Sequence, residues 1–358
     1  MTLAIVQGPT VVRAEGATLG RVLDATYPVL HQGLSRRAFT TADAALRKTA
    51  WGCGHRRRYA LVEGADVLAS AHQYDLSGML GRQALRICGI GDVCSGPAHE
   101  AVNHARALIE RLVDDARHDG ADLAVVFTSA EAMLPALDGF EVIPTQDLLL
   151  TVAESTRYGA PMTLVRGGED RDLAAIVAMG EVRAARFRFH LTRDVDLVKY
   201  TVTKKRLLAG LTSSGARQLL FVIAEEGITA AAYAVISIVD GTWTIEECGD
   251  RDASGARVGA ILQALIAREP VERRPVIRGW LPPGFVPPQV TIMATQPTAE
   301  TVLARPLTKT VDRLGLSGDD VLYWRCSLTR IGSRFIPPER PASRQPVHNR
   351  TSRRLRSS

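Results

Sequence analysis

Cysteine is scarce and badly placed for cross-linking: the five residues, at positions 53, 88, 94, 248 and 326, are scattered and odd in number. That excludes a disulfide framework and favours a reducing interior. Long apolar runs are also missing. The longest, residues 230–239, falls far short of the ~20 residues that span a bilayer, so no membrane partner is expected. The opening MTLAIVQGPTVV has no basic segment ahead of an apolar core, does not read as a secretion signal, and leaves a cytoplasmic location as the expectation. No G-x-S-x-G occurs, which removes support for an esterase-type nucleophile. Cys88 and Cys94 lie six apart in an apparent strand, hence on one face, with His99 and His104 following. The spacing is not that of a zinc knuckle, so they read as buried small hydrophobes and no metal is expected. GLTSSGAR, residues 210–217, has Ala-Arg where a phosphate loop needs Lys and Ser or Thr, and reads as a turn.

Acidic residues are nearly absent from one end. From residue 331 onward seven arginines face a single acid, Glu339, so this tail carries the whole of the chain's net +6. The body is near neutral, with the 46% hydrophobic and 23% charged residues of a globular protein. The tail has too few apolar residues to fold by itself and is expected to be disordered. No aromatic residues interleave with its last arginines, so nucleic acid is not an expected partner. At 358 residues the chain is long enough for two domains of ordinary size.

The segment from Ile87 to Pro144 is the most informative. An apolar strand, ICGIGDVCS, empties into a short loop and a helix begins at once. Ala105, Leu108, Ile109, Leu112, Val113 and Ala116 make one apolar helical face, Gly120 sits at a C-terminal cap position, and a second strand follows over 121–129. A helix N-terminus with free amides facing such a loop is an anion site, suited to a pyrophosphate.

These residues resemble the GNAT superfamily of acyl-CoA N-acyltransferases. The matching positions are Asp92-Val93, Pro97, His99, the helix from Ala105 through Leu112, Gly139-Phe140 and Pro144. The resemblance implies that the strand splays open, that backbone N–H groups of Val93, Cys94 and Ser95 pair with the pantetheine arm and polarise the thioester carbonyl, and that amides of Ala101, Val102, Asn103, His104, Ala105 and Arg106 hold the pyrophosphate. Acetyl-CoA or another acyl-CoA is the implied co-substrate. In the family's R-G-x-G-x-G/A loop, Glu100, Ala101 and Asn103 replace the Arg and two Gly here, and Leu134 lies near the usual Tyr acid. The proton donor is then absent or supplied from elsewhere, for example by Ser129 or a water. Asp92 and His72 are the candidate bases, each weighed against a structural role, and His99 is expected to order its loop. The basic run HRRRY, residues 55–59, is either a solvated loop or a grip on the adenosine 3′-phosphate or an acidic acceptor. The acceptor side should be built by helices over residues 19–27, broken by Pro28, and 40–50, opened by a Thr40-x-x-Asp43 capping pair. Tyr27, His31, Trp51 and Tyr74 are candidates to line its pocket.

The pattern recurs. Val12-Arg13 returns as Val165-Arg166, YALVEGADVLASA as LFVIAEEGITAAA, and ARALIERL as GAILQALIA, offset by 153, 163 and 154 residues. Each middle element is a hairpin signature, and three elements in one order at near-equal spacing indicate a repeat. The expected fold is α/β with mixed sheets: two GNAT-like units in tandem, each a mostly antiparallel mixed sheet flanked by helices. The expected divisions are 1–153, a linker at 154–160, a remodelled second unit at 161–330 whose phosphate-loop equivalent is DRDASGARVGA, and the basic tail at 331–358. The implied activity is transfer of an acetyl or other acyl group to a primary amine of a small molecule or protein in a ternary complex. The alternative is a catalytically weakened acyl-CoA sensor or binding scaffold. Oligomeric state, including a homo-oligomer, stays open.

Overall fold

The apolar stripe read from the sequence at 105–116 becomes the buried face of an 18-residue helix whose six stripe residues are all enclosed. Its Leu108, Ile109, Leu112 and Val113 are essentially inaccessible, and each such side chain contributes about 1.5–3 kcal/mol. The computed structural model describes residues 8–96, 101–128, 137–153, 164–212, 216–298, 301–309, 311 and 313–322. The loop with Pro97, His99 and Glu100, the segment with Ser129 and Leu134, the connector, the middle of GLTSSGAR, Cys326 and the arginine-rich tail lie outside the described residues.

The first half runs β1 (Thr10–Arg13), α1 (Gly16–Leu30), α2 (Arg36–Arg47), α3 (Ala50–His55), β2 (Arg56–Glu63), β3 (Asp66–Leu80), β4 (Gln83–Ser95), α4 (Ala101–His118), β5 (Leu123–Thr128), β6 (Glu141–Ile143) and β7 (Gln146–Val152). The second runs β8 (Leu164–Gly167), α5 (Leu173–Ala184), β9 (Phe189–Leu191), α6 (Val195–Leu211), β10 (Arg217–Glu226), β11 (Thr229–Val239), β12 (Thr242–Asp250), α7 (Ala256–Ile266), β13 (Ile277–Gly279), β14 (Val290–Pro297), β15 (Thr301–Pro306) and β16 (Val321–Leu322). Both hairpins expected from the Glu-Gly turns form, with Gly64 and Gly227 at φ of 58° and 64°, left-handed conformations that glycine adopts without a Cβ penalty.

One sheet is ordered β1-β2-β3-β4-β5-β15-β6, and the other β8-β10-β11-β12-β13-β7-β14. Along both paths the fourth and fifth strands pair parallel and every other neighbour antiparallel; off the first path β9 pairs antiparallel with β3 and parallel with β16. The sixth strand of each path comes from the opposite half of the chain. Thus β7, the DLLLTV strand, sits between β13 and β14, and β15 between β5 and β6. Helix α6 joins the halves a second time, packing on α2 and α3 as well as on α5 and β10. Among the described residues no helix is long and apolar enough to cross a membrane.

Two local expectations are corrected. Helix α2 starts at Arg36 because the Ser35 side chain accepts from the Ala38 N–H, so Thr40 lies inside the helix and bonds back to the Arg36 carbonyl. Helix α1 continues through Pro28 to Leu30, so the proline, which lacks an N–H to donate and crowds the carbonyl four residues earlier, does not end the helix.

Candidate functional site

Strand β4 builds the site by losing its regular alternation. Its ladder with β3 skips one residue between the pairs Ser70↔Cys94 and His72↔Gly91, and Asp92 in that bulge adopts φ of 50°. An extra residue reverses the parity of everything beyond it. Cys88 and Ile90 therefore pack with α4, whereas Cys94 packs with α1 and α2 and Asp92 turns to the face of His72 and Tyr74. The expectation that Cys88 and Cys94 share a face fails for that reason. Gly89 lets a side chain of β3 lie across β4, since a Cβ there would meet Leu76 Cδ1 at 2.7 Å. Beside the bulge the sheet parts: the β4–β5 ladder ends at Ile90↔Val126, while β4 continues to Ser95 and β5 to Thr128.

On the α2 face of the parting lies a buried ionic cluster. Arg58 is directly opposite His72 in the β2–β3 register, and His72 is opposite Gly91. His72 Nδ1 is 2.9 Å from Asp92 Oδ2, while its Nε2 receives Arg58 Nε at 2.9 Å and Arg56 Nη2 at 2.6 Å. Guanidinium groups only donate, so Nε2 is the acceptor and Nδ1 carries the hydrogen given to Asp92. Arg56 also donates to Asp43 at 2.6 Å, and the Tyr74 hydroxyl donates to Asp92 at 3.3 Å. Burial and the two arginines push His72 down to about 3, leaving it neutral at neutral pH. Burial works against ionisation of Asp92, but the His72 hydrogen bond and the charges of Lys204 and Arg58 outweigh it and hold the carboxyl at about 2.

This cluster floors a cavity of about 40 Å³ walled by Leu30, Leu34, Phe39, Leu46 and, from the second half, Leu208 and Lys204. Gln32 and Asp92 both line it, and they are two of the three non-glycine residues at positive φ among the described residues. Such conformations cost energy and collect at functional sites. Tyr27, His31, Trp51 and Tyr74 do not line the cavity: Trp51 and Tyr74 are core, and Tyr27 bonds the Leu34 carbonyl. The basic run is not a solvated loop. Arg56 and Arg58 share the buried face of β2, and Arg57 pairs with Asp75 on the other. Sequence reasoning missed Asp43 and Lys204 as site residues, and it held Arg56 and Arg58 only as members of the basic run, without separating them from His55, Arg57 and Tyr59. The signal for the arginines was their i, i+2 spacing at the head of an apolar strand.

Of the expected cofactor contacts, Val93, Cys94 and Ser95 end β4 beyond the ladder with β5, with Val93 packed toward α4. Ala101, Val102, Asn103 and His104 form the first turn of α4, which contains no acid. Ala105 is buried under the sheet, and Arg106 pairs with Asp138 at 3.4 Å. A run of strand edge beyond the β4–β5 ladder, leading to a helix whose first turn holds no acid, fits a pantetheine arm and a pyrophosphate.

The corresponding opening in the second half is filled from within. The β12–β13 ladder ends at Ile245↔Gly279 while β12 runs on to Asp250. Beyond it the Cys248 carbonyl accepts from Arg183 Nη1 at 2.8 Å, and that guanidinium lies 4.0 Å over the Phe285 ring. The fully enclosed Asp250 carboxylate takes the backbone N–H groups of Asp252 and Arg257 at the start of α7, both at 2.9 Å, and pairs with the Arg257 side chain. A Cβ at Gly259 would strike Gln289. The anion seat of α7 is thus taken by a side chain of the protein itself.

Among solved structures, a GCN5-related N-acetyltransferase from Kribbella flavida is similar over 85% of this chain and 72% of its own, at 16% identity and a TM-score of 0.57. A protein of unknown function from Enterococcus faecalis V583, described as a probable N-acyltransferase, is similar over 84% and 72%, at 12% identity and 0.58. The fold is GNAT-like. Eis1 from Mycobacterium abscessus shares it over 84% of this chain and 73% of its own, at 13% identity and 0.52. No protein-family model and no curated protein matches the sequence.

The neutral buried His72 has a measurable consequence. An unfolded imidazole takes its proton near pH 6.5 and the folded one near 3, so between those values the unfolded state binds more protons. The stability this provides is fully present above pH 6.5 and is lost as pH falls toward 3, at up to ~1.4 kcal/mol per pH unit. Urea midpoints measured from pH 7 to 4 should therefore fall less steeply for His72→Phe than for the parent; equal slopes would contradict the assignment.

Proposed function

We propose that this chain transfers an acyl group from acyl-CoA to a primary amine, with the co-substrate beside the end of β4 in the first half and the amine in the cavity on the opposite face. The carrying observation is the contrast between the openings: one leads from a strand edge beyond the β4–β5 ladder to a helix start without acids, and the other is occupied by Arg183, Phe285 and Asp250. Acyl-CoA supplies the activated acyl group. Val93, Cys94 and Ser95 would line its arm and offer amides to the thioester carbonyl. Ala101, Val102 and Asn103 would offer amides to the pyrophosphate, with His104, Ala105 and Arg106 completing that end of α4. Acetyl-CoA is the first choice of donor.

Asp92 is ionised at all physiological pH, which suits it to hold and orient an ammonium group but makes it a weak acceptor for the proton. His72, with its Nε2 lone pair engaged by two arginines, acts as a positioning residue that fixes Asp92. Ser129, next after the end of β5, or a water, protonates the departing thiolate. The matching strand orders support two units, 1–153 and 161–330, with β7 crossing into the second sheet and β9, β15 and β16 into the first, a linker at 154–160, and the tail at 331–358 outside both. Ala101 and Asn103 in place of the family's glycines favour the second reading, a sensor or scaffold that binds acyl-CoA without turnover. Free-thiol release from acetyl-CoA across a panel of amines separates the two: amine-dependent release supports transfer, and binding without release on any amine supports the sensor.

A further inference from the structure

The cavity is lined by two arginines, Arg56 and Arg58, and two carboxylates, Asp43 and Asp92, but their pairing is uneven. The unevenness has a location. Arg58 is 8% exposed, its Nε is committed to His72, and its Nη1 is enclosed without a hydrogen-bond partner among the described residues. Burying a charged donor unpaired is costly unless a ligand pairs with it. Burial and the neighbouring Arg56 push Arg58 below the usual guanidinium range, whereas for Arg56 burial is outweighed by Tyr200 and Asp43 and the group is raised. The two arginines are chemically alike, but only Arg56 has a carboxylate.

We propose that the cavity is the acceptor's carboxylate subsite, in which Arg58 Nη1 pairs with a carboxylate of the substrate while the substrate's amine lies toward Asp92, so that the acceptor is a small amino acid rather than a simple amine. A volume of about 40 Å³ accommodates a few water-sized groups, enough for a carboxylate and its adjoining carbon. Arg58 and Asp92 flank opposite ring nitrogens of His72, so one imidazole sets the spacing between the sites for the two ends of the substrate. The apolar wall of Leu30, Leu34, Phe39 and Leu46 excludes water and strengthens the pairing. Transfer leaves the carboxylate untouched: the ammonium releases one proton to solvent, the neutral amine forms the amide bond as the carbon–sulfur bond breaks, and its second proton is balanced by protonation of the departing thiolate.

This proposal rests on the transfer reading for its substrate but not for its ligand, and the test separates them. With the full chain, propionate should raise the melting temperature of the parent above that in equal propionamide or chloride, and should not do so for Arg58→Met. In thiol-release assays, amino acids should exceed their own primary amides by about 10–100-fold in kcat/KM, the effect of one charge-assisted hydrogen bond. That ratio should collapse toward one in Arg58→Met and recover in part in Arg58→Lys. Stabilisation by propionate without turnover of any amine keeps the subsite and removes the transfer reading. Turnover that treats acids and amides alike, with no propionate effect on the parent, overturns the subsite and leaves transfer standing. Because both parent measurements need no variant, a misfolded Arg58→Met leaves the proposal exposed to contradiction.

Discussion

Replacing Asp43 by alanine is expected to remove about 3–5 kcal/mol of folding stability, the cost of stranding a buried charge. Asp43 and Arg56 are 6% and 3% exposed at their side chains and lie 2.6 Å apart. Burial works against the Asp43 charge, yet Arg56 and Arg58 together keep its carboxyl well below the usual carboxylate range. Without it, Arg56 keeps only the His72 nitrogen it shares with Arg58, and Asp92 is left as the one carboxylate of the cluster to offset two guanidinium groups. Arg47 offers an internal control. It pairs with the same carboxylate at 3.0 Å but is 43% exposed, so Arg47→Ala should cost no more than about 1 kcal/mol. Urea unfolding should show a large fall in midpoint for the first variant and a small one for the second. A loss below about 1 kcal/mol for Asp43→Ala would mean that the cluster does not carry the charge pairing described.

The second large effect is on turnover. Asp92→Asn should reduce kcat/KM for the best amine by about 10²–10³-fold, the loss expected when one charge of a buried, hydrogen-bonded set disappears. Asparagine suits this test because it tolerates the left-handed conformation at φ of 50° and can still accept from His72. The bulge should survive, and acetyl-CoA affinity should be unchanged. Stopped assays of thiol release with calorimetry on the same preparations distinguish loss of chemistry from loss of fold. Activity within about threefold of the parent would remove Asp92 from the amine site.

Local periodicity made the α4 stripe and both Glu-Gly hairpins legible, because each depends on neighbours within a few residues. The strand exchange was not legible. Nothing in DLLLTV tells it to pair with β13 and β14 instead of the sheet its own half builds, since that choice is made by partners more than a hundred residues away. The bulge hid the site in a similar manner: alternation put Cys88 and Cys94 together, and one extra residue at Asp92 parted them. Asp43 was read as half of a helix cap because Thr40 stands three residues ahead, whereas Ser35 caps the helix and frees Asp43 for Arg56. Lys204 carried no motif at all. It reaches the cavity only because α6 of the second half packs on α2 of the first.

Calorimetric titration of acetyl-CoA tests most directly which opening holds the co-substrate. Asn103 is exposed in the first turn of α4, where an acid favours the helix but repels a pyrophosphate. One equivalent should bind per chain, Asn103→Glu should abolish the heat of binding while unfolding as the parent does, and Ser254→Glu, on the filled loop before α7, should leave affinity unaltered. Two equivalents, no binding by the parent, or parent-like affinity in Asn103→Glu would contradict the assignment of the site to the first half.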